Sequence, residues 1–220
     1  MYLFLILSII ITVAAQIGVN SAFKKYSAVR NQRGITGAEA ARQMLLDNGV
    51  TGVQIEPIPG SLTDHYDPTA NVIRLSEDVY AKDSVAAVGV AMHEAGHALQ
   101  YAQGYKPILL RNAIVKSTNI SSWVSYLLVL AGIIFSSYNL LTLGIIFFLA
   151  VIFFQLVTLP VEFNASGRAV RTLAQGGILE PGEQDGVKKV LTAAAMTYVA
   201  AVAVSLLNLM RLLLIRGRRR

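Results

Sequence analysis

Two of the three histidines in this chain stand four residues apart and flank a glutamate, in the segment HEAGH. They are His93 and His97, and the glutamate is Glu94. On a helix, residues four apart share one face, so both imidazoles can point at one metal ion while Glu94 lies beside it. Two imidazole ligands and a carboxylate placed to accept a proton from water are the parts of a zinc hydrolase. The spacing therefore predicts one Zn²⁺ per chain, with Glu94 as the catalytic base.

A catalytic zinc ion also needs a third protein ligand, with water in the fourth position. Glu162, in LPVEFNAS, is the strongest candidate because it follows an apolar run, where an unpaired carboxylate is costly. The alternative is a charge that marks a membrane boundary. His65, the remaining histidine, is predicted to contact substrate or stabilise an anionic intermediate, unless it is an ordinary hairpin residue. For the motif itself, the alternative is a buried histidine pair without metal.

The composition indicates a membrane protein. Of 220 residues, 54% are hydrophobic and only 15% are charged, whereas soluble domains carry roughly 25% charged residues. The formal net charge is +6, but the basic residues flank apolar runs. They therefore indicate membrane topology and contact with the lipid bilayer rather than binding to nucleic acid. The absence of cysteine excludes disulfides and thiolate metal ligands.

Four apolar segments approach the roughly 20 residues that cross a bilayer core. They predict the fold class: a mainly α membrane protein, with four transmembrane helices and a small α+β, zincin-like cytoplasmic lobe. The first segment lacks the features of a cleaved signal peptide and is predicted to be retained. The predicted parts are an N-terminal transmembrane anchor at 1–20, the catalytic lobe at 21–121, a transmembrane hairpin at 122–160, a cytoplasmic segment with the third ligand at 161–189, and a last transmembrane helix with a basic tail at 190–220.

The distribution of lysine and arginine predicts the orientation in the membrane. Residues 20–121 hold ten of these side chains and residues 161–189 hold four, whereas the turn at 136–139 holds none. The positive-inside rule then places both long loops in the cytoplasm of a multi-pass plasma-membrane protein, with the active site on that side. Four crossings would leave the basic tail outside. Either the last segment does not span fully, or the tail is an exception to the rule.

Local patterns predict how the lobe folds. Thr36 and Glu39 have the spacing of a capping box at the start of a helix that Gly49 ends. Residues 50–60 resemble a strand, and 61–76 resemble a hairpin that turns at DPTA. A helix from about Ser84 to Gln103 carries HEAGH.

Residues 71–75, which follow the DPTA turn, alternate in character like an exposed edge strand. We expect an extended peptide substrate to add to it, next to Asn71, Ile73 and Leu75.

The segments DHYDP, NVIRLS, MHEAGHALQ and LPVEFNAS together resemble the YugP family of neutral zinc metallopeptidases, over nearly the whole chain. More distantly, the chain is similar to membrane gluzincins of the HtpX and CAAX-prenyl-protease type. The resemblance implies that His93, His97 and Glu162 hold zinc and that Glu94 is the base. The distant relatives have an aspartate four residues after the ligand glutamate, where this chain has Ser166.

This departure predicts different support for the metal ligands, through Asn164 or through a hydroxyl such as that of Ser166. Arg168 follows on the same segment. It is predicted either to stabilise the oxyanion of the reaction or to be a charge at the membrane surface.

The predicted function is a membrane-embedded zinc metallopeptidase that cleaves peptides or proteins, including membrane proteins. One alternative is an intramembrane site-2-type protease, which has its motif inside a span and a later Asp-Gly motif; here Asp185-Gly186 lies in a polar loop. Another is a membrane scaffold or regulatory protein with a structural zinc ion, which has no use for Glu94. The small residues of AAAMTYVAAVAV also suit close helix packing, so a homo-oligomer or a membrane partner protein is possible.

Overall fold

The computed structural model describes residues 2–218; Met1, Arg219 and Arg220 lie outside the described residues, so the start of the predicted anchor and the end of the predicted basic tail do too. Seven helices and three strands follow one another in this part of the chain. They are α1 (Tyr2–Ser27), α2 (Gly37–Asp47), β1 (Gln54–Ile58), β2 (His65–Asp67), β3 (Val72–Ser76), α3 (Glu77–Tyr80), α4 (Val85–Ala102), α5 (Lys106–Ile134), α6 (Tyr138–Gly176) and α7 (Pro181–Gly217).

Four of the described helices, α1, α5, α6 and α7, are long and apolar enough to cross a membrane. The helix α4, which carries HEAGH, is not one of them. The predicted interfacial stretch before residue 122 and the predicted second span form a single helix, α5, which begins at Lys106. Pro107 lies in the first turn, where a missing N–H costs no helical hydrogen bond, so the helix continues from there without a break.

The chain divides into two compact units. The apolar unit contains the chain up to Gln16, Pro107–Pro160, and the chain from Met196 onward. The mixed unit contains Ile17–Lys106 and Val161–Ala195. The first part of the mixed unit thus ends at Lys106, whereas the predicted lobe ends at residue 121, because residues 107–121 belong to the long helix α5.

Within the apolar unit, α5 and α6 form a tight helical hairpin. A Cβ atom at Gly132 would lie 2.8 Å from the backbone nitrogen of Leu141, and one at Gly144 would lie 3.0 Å from that of Val129. The Ser125 hydroxyl donates to the carbonyl of Gly144 at 2.9 Å. Small residues therefore allow the two backbones to approach closely, as is usual for helices packed in lipid.

In the mixed unit, β3 is the central strand of a sheet with the order β1-β3-β2. It pairs in parallel with β1, where Ile55 lies opposite Ile73, and antiparallel with β2. Ile73 and Leu75 are fully buried. The prediction of an exposed edge strand at Asn71–Leu75 is therefore wrong, and a peptide cannot add a strand there next to Asn71, Ile73 and Leu75.

The error has a physical cause. The apparent polar face of this strand consists of Arg74, whose guanidinium pairs with Asp67 at 2.8 Å instead of marking a free surface. Asn71 has a positive φ of 54° in the turn before β3. Its amide accepts a hydrogen bond from the Tyr66 hydroxyl and donates to the carbonyl of Gly52, so it stabilises the turn and the neighbouring loop.

The other local predictions for this unit are confirmed. The Thr36–Glu39 capping box is present, and Gly49, with φ 69°, follows the end of α2. The Asp67 carboxylate accepts two backbone N–H groups in the turn between β2 and β3. The core between α2, α4 and the sheet contains Ala41, Met44, Val88 and Met92, which fixes the position of α4.

Candidate metal centre

The helix α4 places the two histidines in the interior of the mixed unit. Ser84 caps its start by accepting the N–H of Ala87, and Gly104, with φ 62°, follows its end. Within the helix itself, only Val90, His93, Tyr101 and Ala102 are not buried. The small and aliphatic residues of the helix fill the core, so the side chains of HEAGH have defined positions.

The helix α6 approaches α4 closely at Gly96. A Cβ atom at this position would lie 2.6 Å from the carbonyl oxygen of Ala165, which leaves room only for a glycine. Gly96 lies between His93 and His97 in the sequence, and Glu162 lies one turn before Ala165. The close contact therefore brings the predicted third ligand to the histidine pair.

Three donor atoms converge at this point. The Nε2 atoms of His93 and His97 lie 3.3 Å and 3.6 Å from Oε2 of Glu162, and the three ligand atoms all lie within 4.8 Å of one another. A tetrahedral zinc ion with bonds of about 2.0–2.1 Å separates its ligand atoms by about 3.4 Å, so this arrangement fits one ion. Glu162 is 2% exposed and His97 is 8% exposed.

The remaining ring nitrogens are held by hydrogen bonds. Nδ1 of His93 lies 3.0 Å from the Ser166 hydroxyl, and Nδ1 of His97 lies 3.0 Å from Oε1 of Gln100. This leaves the Nε2 atom of each ring directed at Glu162. Hydrogen bonds to the second nitrogen are how proteins orient the imidazole ligands of a metal.

Comparison with known proteins agrees with this arrangement. The sequence model of a family described as "Putative neutral zinc metallopeptidase" matches residues 1–217. The chain belongs to this family. A relative from Bacillus subtilis (strain 168), named "Putative membrane protease YugP", is 52% identical over 201 residues, which are 91% of this chain and 89% of the relative. No solved structure matches the chain. The resemblance to the YugP family drawn from the sequence motifs is thereby confirmed.

In this member of the zinc metallopeptidase family, a hydrogen bond with Gln100 orients the imidazole ring of His97. The Gln100 side chain is fully buried. Its amide nitrogen donates to the carbonyl of Val161 at 2.7 Å and to Oδ1 of Asn164 at 3.0 Å. Its oxygen must then face His97 and accept from Nδ1–H, so that Nε2 keeps a lone pair for a metal.

A polar network continues behind Gln100. Oδ1 of Asn164 also accepts from Nε of Arg168 at 2.7 Å. Arg168 donates in addition to the side chain of Gln103, and its guanidinium lies 5.9 Å from the centre of the Tyr105 ring. Asn164 and Arg168 thus lie behind His97, whereas Ser166 lies behind His93. These contacts favour a supporting role for Arg168 over contact with an oxyanion.

Nearby carboxylates give the site a negative electrostatic potential. Burial lowers the pKa of His97. Its hydrogen bond to Glu162 and the charges of Glu94 and Glu162 together raise the pKa by more than burial lowers it, so the pKa lies above its ordinary value. Burial raises the pKa of the Asp64 carboxyl, against the opposing effect of hydrogen bonds from Ser76, and the charge of Glu94 adds to this rise. Acidic groups therefore lie close to His97, which favours a bound cation.

The structure does not bring His65 into the group of ligand atoms. Among residues 2–218, that group consists of His93, His97 and Glu162. His65 begins β2, and its Nδ1 lies 2.8 Å from the carbonyl of Thr63. Glu94 is 8% exposed and lies on α4 directly after the first histidine of the motif. Its burial within the motif is compatible with the predicted role as base.

Sequence reasoning missed Gln100 and Gln103. Gln100 lies three residues after His97 and can therefore reach the same helix face. Its other partners, Val161 and Asn164, are more than 60 residues away in the sequence. The spacing alone could have suggested the contact with His97, but not the buried network that orients the amide.

We expect Gln100→Leu to weaken zinc binding by roughly 10- to 100-fold, the usual effect of losing a hydrogen-bond partner behind a metal ligand. The change removes the acceptor for Nδ1–H of His97. Zinc affinity, measured by competition with a coloured chelator, checks this. Gln100→Glu keeps an acceptor oxygen and should lose less, and Gln43→Leu, at an exposed position of α2, is the control. Unchanged affinity in a folded Gln100→Leu protein would contradict the assignment.

Proposed function

We propose that the chain is a multi-pass membrane zinc metallopeptidase that hydrolyses peptide bonds with Glu94 as the general base. The convergence of His93, His97 and Glu162 carries this proposal, since a buried set of two imidazoles and a carboxylate has the composition of a catalytic zinc site. Bound zinc would polarise the scissile carbonyl and lower the pKa of water to about 7.

The residues of the site have separate roles. His93, His97 and Glu162 would hold the ion. Ser166 and Gln100 keep the two rings in place through their Nδ1 atoms. With two neutral imidazoles and one carboxylate as ligands, a bound Zn²⁺ would keep a net positive charge and would supply electrostatic stabilisation for a developing oxyanion.

Glu94 moves the proton. As water forms a bond to the carbonyl carbon, Glu94 accepts one of its protons, and it then donates a proton to the amide nitrogen as the C–N bond breaks. The products are a carboxylic acid and an amine. Because Glu94 directly follows His93 in the helix, its carboxylate is beside the proposed metal ligands rather than among them.

An extended peptide is better matched to β2 than to β3. In the three-stranded sheet, β2 pairs with β3 along one edge only. The strand packs towards α4, and the rings of Tyr66 and Tyr101 lie 5.5 Å apart. An added strand on the outer edge of β2 would pass His65, so substrate contact by this histidine remains a prediction.

We also propose that the metal centre lies on the cytoplasmic side of the membrane. The surplus of lysine and arginine in 20–121 and 161–189 supports this orientation. A site-2-type protease has its motif inside a membrane span. The helix α4, which carries HEAGH, is not among the four described helices suited to span a membrane, and this argues against that alternative.

The test is metal removal and return. Full-length protein in lipid nanodiscs should contain one zinc per chain and cleave peptides from a mixed library. A chelator should abolish cleavage, and added zinc should restore it. Mass spectrometry of the peptides and elemental analysis of the protein give the two readouts. Zinc binding without cleavage of any peptide or membrane protein would favour the scaffold with a structural zinc ion.

A further inference from the structure

The end of α7 carries arginines whose charge the apolar unit does not balance. Three of them, Arg211, Arg216 and Arg218, lie within the described part of the helix end. All 13 aspartate and glutamate residues of the sequence lie in the mixed unit, at Ile17–Lys106 or Val161–Ala195. The apolar unit therefore has no acidic side chain of its own that could pair with these guanidinium groups.

Two of these arginines share one helix face with apolar residues. Arg211, Leu214, Ile215 and Arg218 have the spacing of a single face and line a small pocket of about 30 Å³. Among residues 2–218, the guanidinium groups of Arg211 and Arg218 form no hydrogen bond or ion pair. The Nε atom of Arg211 is buried, so a ligand in the pocket would meet the terminal Nη groups of this side chain.

The ordinary explanation for cations at a helix end is their attraction to the last backbone carbonyls. It suits Arg216 and Arg218, because α7 ends at Gly217. It does not suit Arg211, which lies more than one turn earlier, between the apolar runs SLLNLM and LLLI. A guanidinium group at such a position is costly unless an anion balances its charge.

Arg216 shows which part of the apolar unit these arginines adjoin. Its guanidinium lies 5.4 Å from the centre of the Tyr138 ring. Tyr138 begins α6, directly after the turn from α5, so α7 extends as far as the end of the helical hairpin. This contact supports a complete crossing by α7. The arginines would then lie at a boundary between membrane and water, where lipid phosphates are found.

We propose that the pocket lined by Arg211 and Arg218 binds the phosphate of an anionic phospholipid. The two guanidinium groups would donate to the phosphate oxygens, a pairing for which their fork of N–H groups is well suited. Leu214 and Ile215 would contact the apolar part of the same lipid. The pocket admits a compact anion but not a peptide chain. The proposal rests on the membrane location in the proposed function, but not on zinc or peptidase activity.

Lipid binding to full-length protein in detergent micelles tests the site. Native mass spectrometry during titration with phosphatidylglycerol gives the affinity, and phosphatidylcholine is the zwitterionic comparison. We expect phosphatidylglycerol to bind more tightly. Arg211→Gln and Arg218→Gln should each weaken its binding by roughly five-fold, the usual contribution of one cation near an anionic membrane surface. Lys116→Gln, which removes an exposed cation from α5 in the same unit, should change little.

Arg211→Lys separates a defined phosphate site from general attraction of charge. It keeps the positive charge but loses the fork of donors, so its affinity should lie between those of the wild type and Arg211→Gln. Equal weakening by Lys116→Gln and Arg211→Gln, or equal binding of the two lipids by the wild type, would refute the site.

Inorganic phosphate distinguishes the source of the anion. Displacement of phosphatidylglycerol by inorganic phosphate at a similar concentration would overturn the proposal in favour of a soluble phosphate ligand. Circular dichroism and retained zinc show that each variant is folded. Selective lipid binding by Glu94→Gln protein, or by protein without zinc, would support the site even if no peptide is cleaved. Failure of the lipid site and failure of the peptidase function are therefore separate results.

Discussion

Glu94→Gln should abolish peptide hydrolysis and leave zinc binding intact. Glutamine has the shape of glutamate but cannot accept the proton of the attacking water, and loss of a positioned base costs roughly 10²- to 10⁴-fold in rate. The metal should remain because His93, His97 and Glu162 are unchanged. Cleavage of a peptide identified with the wild-type protein, measured as kcat/KM together with zinc content, checks both parts.

Glu77→Gln is the matched control, since Glu77 is an exposed glutamate in the short helix α3. It should cleave like the wild type. Cleavage at the wild-type rate by Glu94→Gln protein that contains no contaminating protease would remove Glu94 from the mechanism. Slow cleavage combined with lost zinc would instead mean that the glutamine disturbs the ligands.

Glu162→Ala should remove the metal itself. Oε2 of Glu162 is the atom shared by the two imidazoles, at 3.3 Å and 3.6 Å. Without it, two neutral rings must hold a divalent ion in a buried site. We expect zinc affinity to fall by more than roughly 100-fold, because losing a partner behind a ligand already costs 10- to 100-fold. Equilibrium competition with a chelator and elemental analysis after desalting measure the change.

Asp185→Ala controls for the loss of an acidic side chain, since that carboxylate is 69% exposed in the first turns of α7 and bonds only loosely to Lys188, at 3.4 Å. It should bind zinc like the wild type. If folded Glu162→Ala protein retained stoichiometric, tightly bound zinc, a different side chain would be the third ligand and the proposed centre would be wrong.

The three residues of the candidate metal centre could be predicted because their signals are local. HEAGH has the period of a helix face, and Glu162 is conspicuous as a carboxylate at the end of an apolar run. Neither signal depends on how the rest of the chain folds. The polar support could be predicted only in part. The serine and asparagine after Glu162 were visible in the sequence, but the network through Gln100 joins side chains over a separation of more than 60 residues.

The position of β3 shows why the substrate prediction was wrong. Alternation of apolar and polar residues in a sequence predicts which face of a strand is covered, but not whether its edges are paired. Here β1 pairs in parallel with one edge of β3. Paired residues, such as Gln54 and Val72, are 18 positions apart in the sequence. Such pairing depends on tertiary contacts rather than on the strand's own pattern.

The contact between Gly96 and Ala165 limits how this centre could be transferred to another protein. Position 96 accommodates nothing larger than a hydrogen atom because a neighbouring carbonyl oxygen occupies the space. Grafting the pentapeptide onto a foreign helix would therefore not recreate the site. The recipient would also need a second helix at the same separation, with a small residue facing the glycine and a carboxylate one turn earlier. The smallest transferable unit is a matched helix pair.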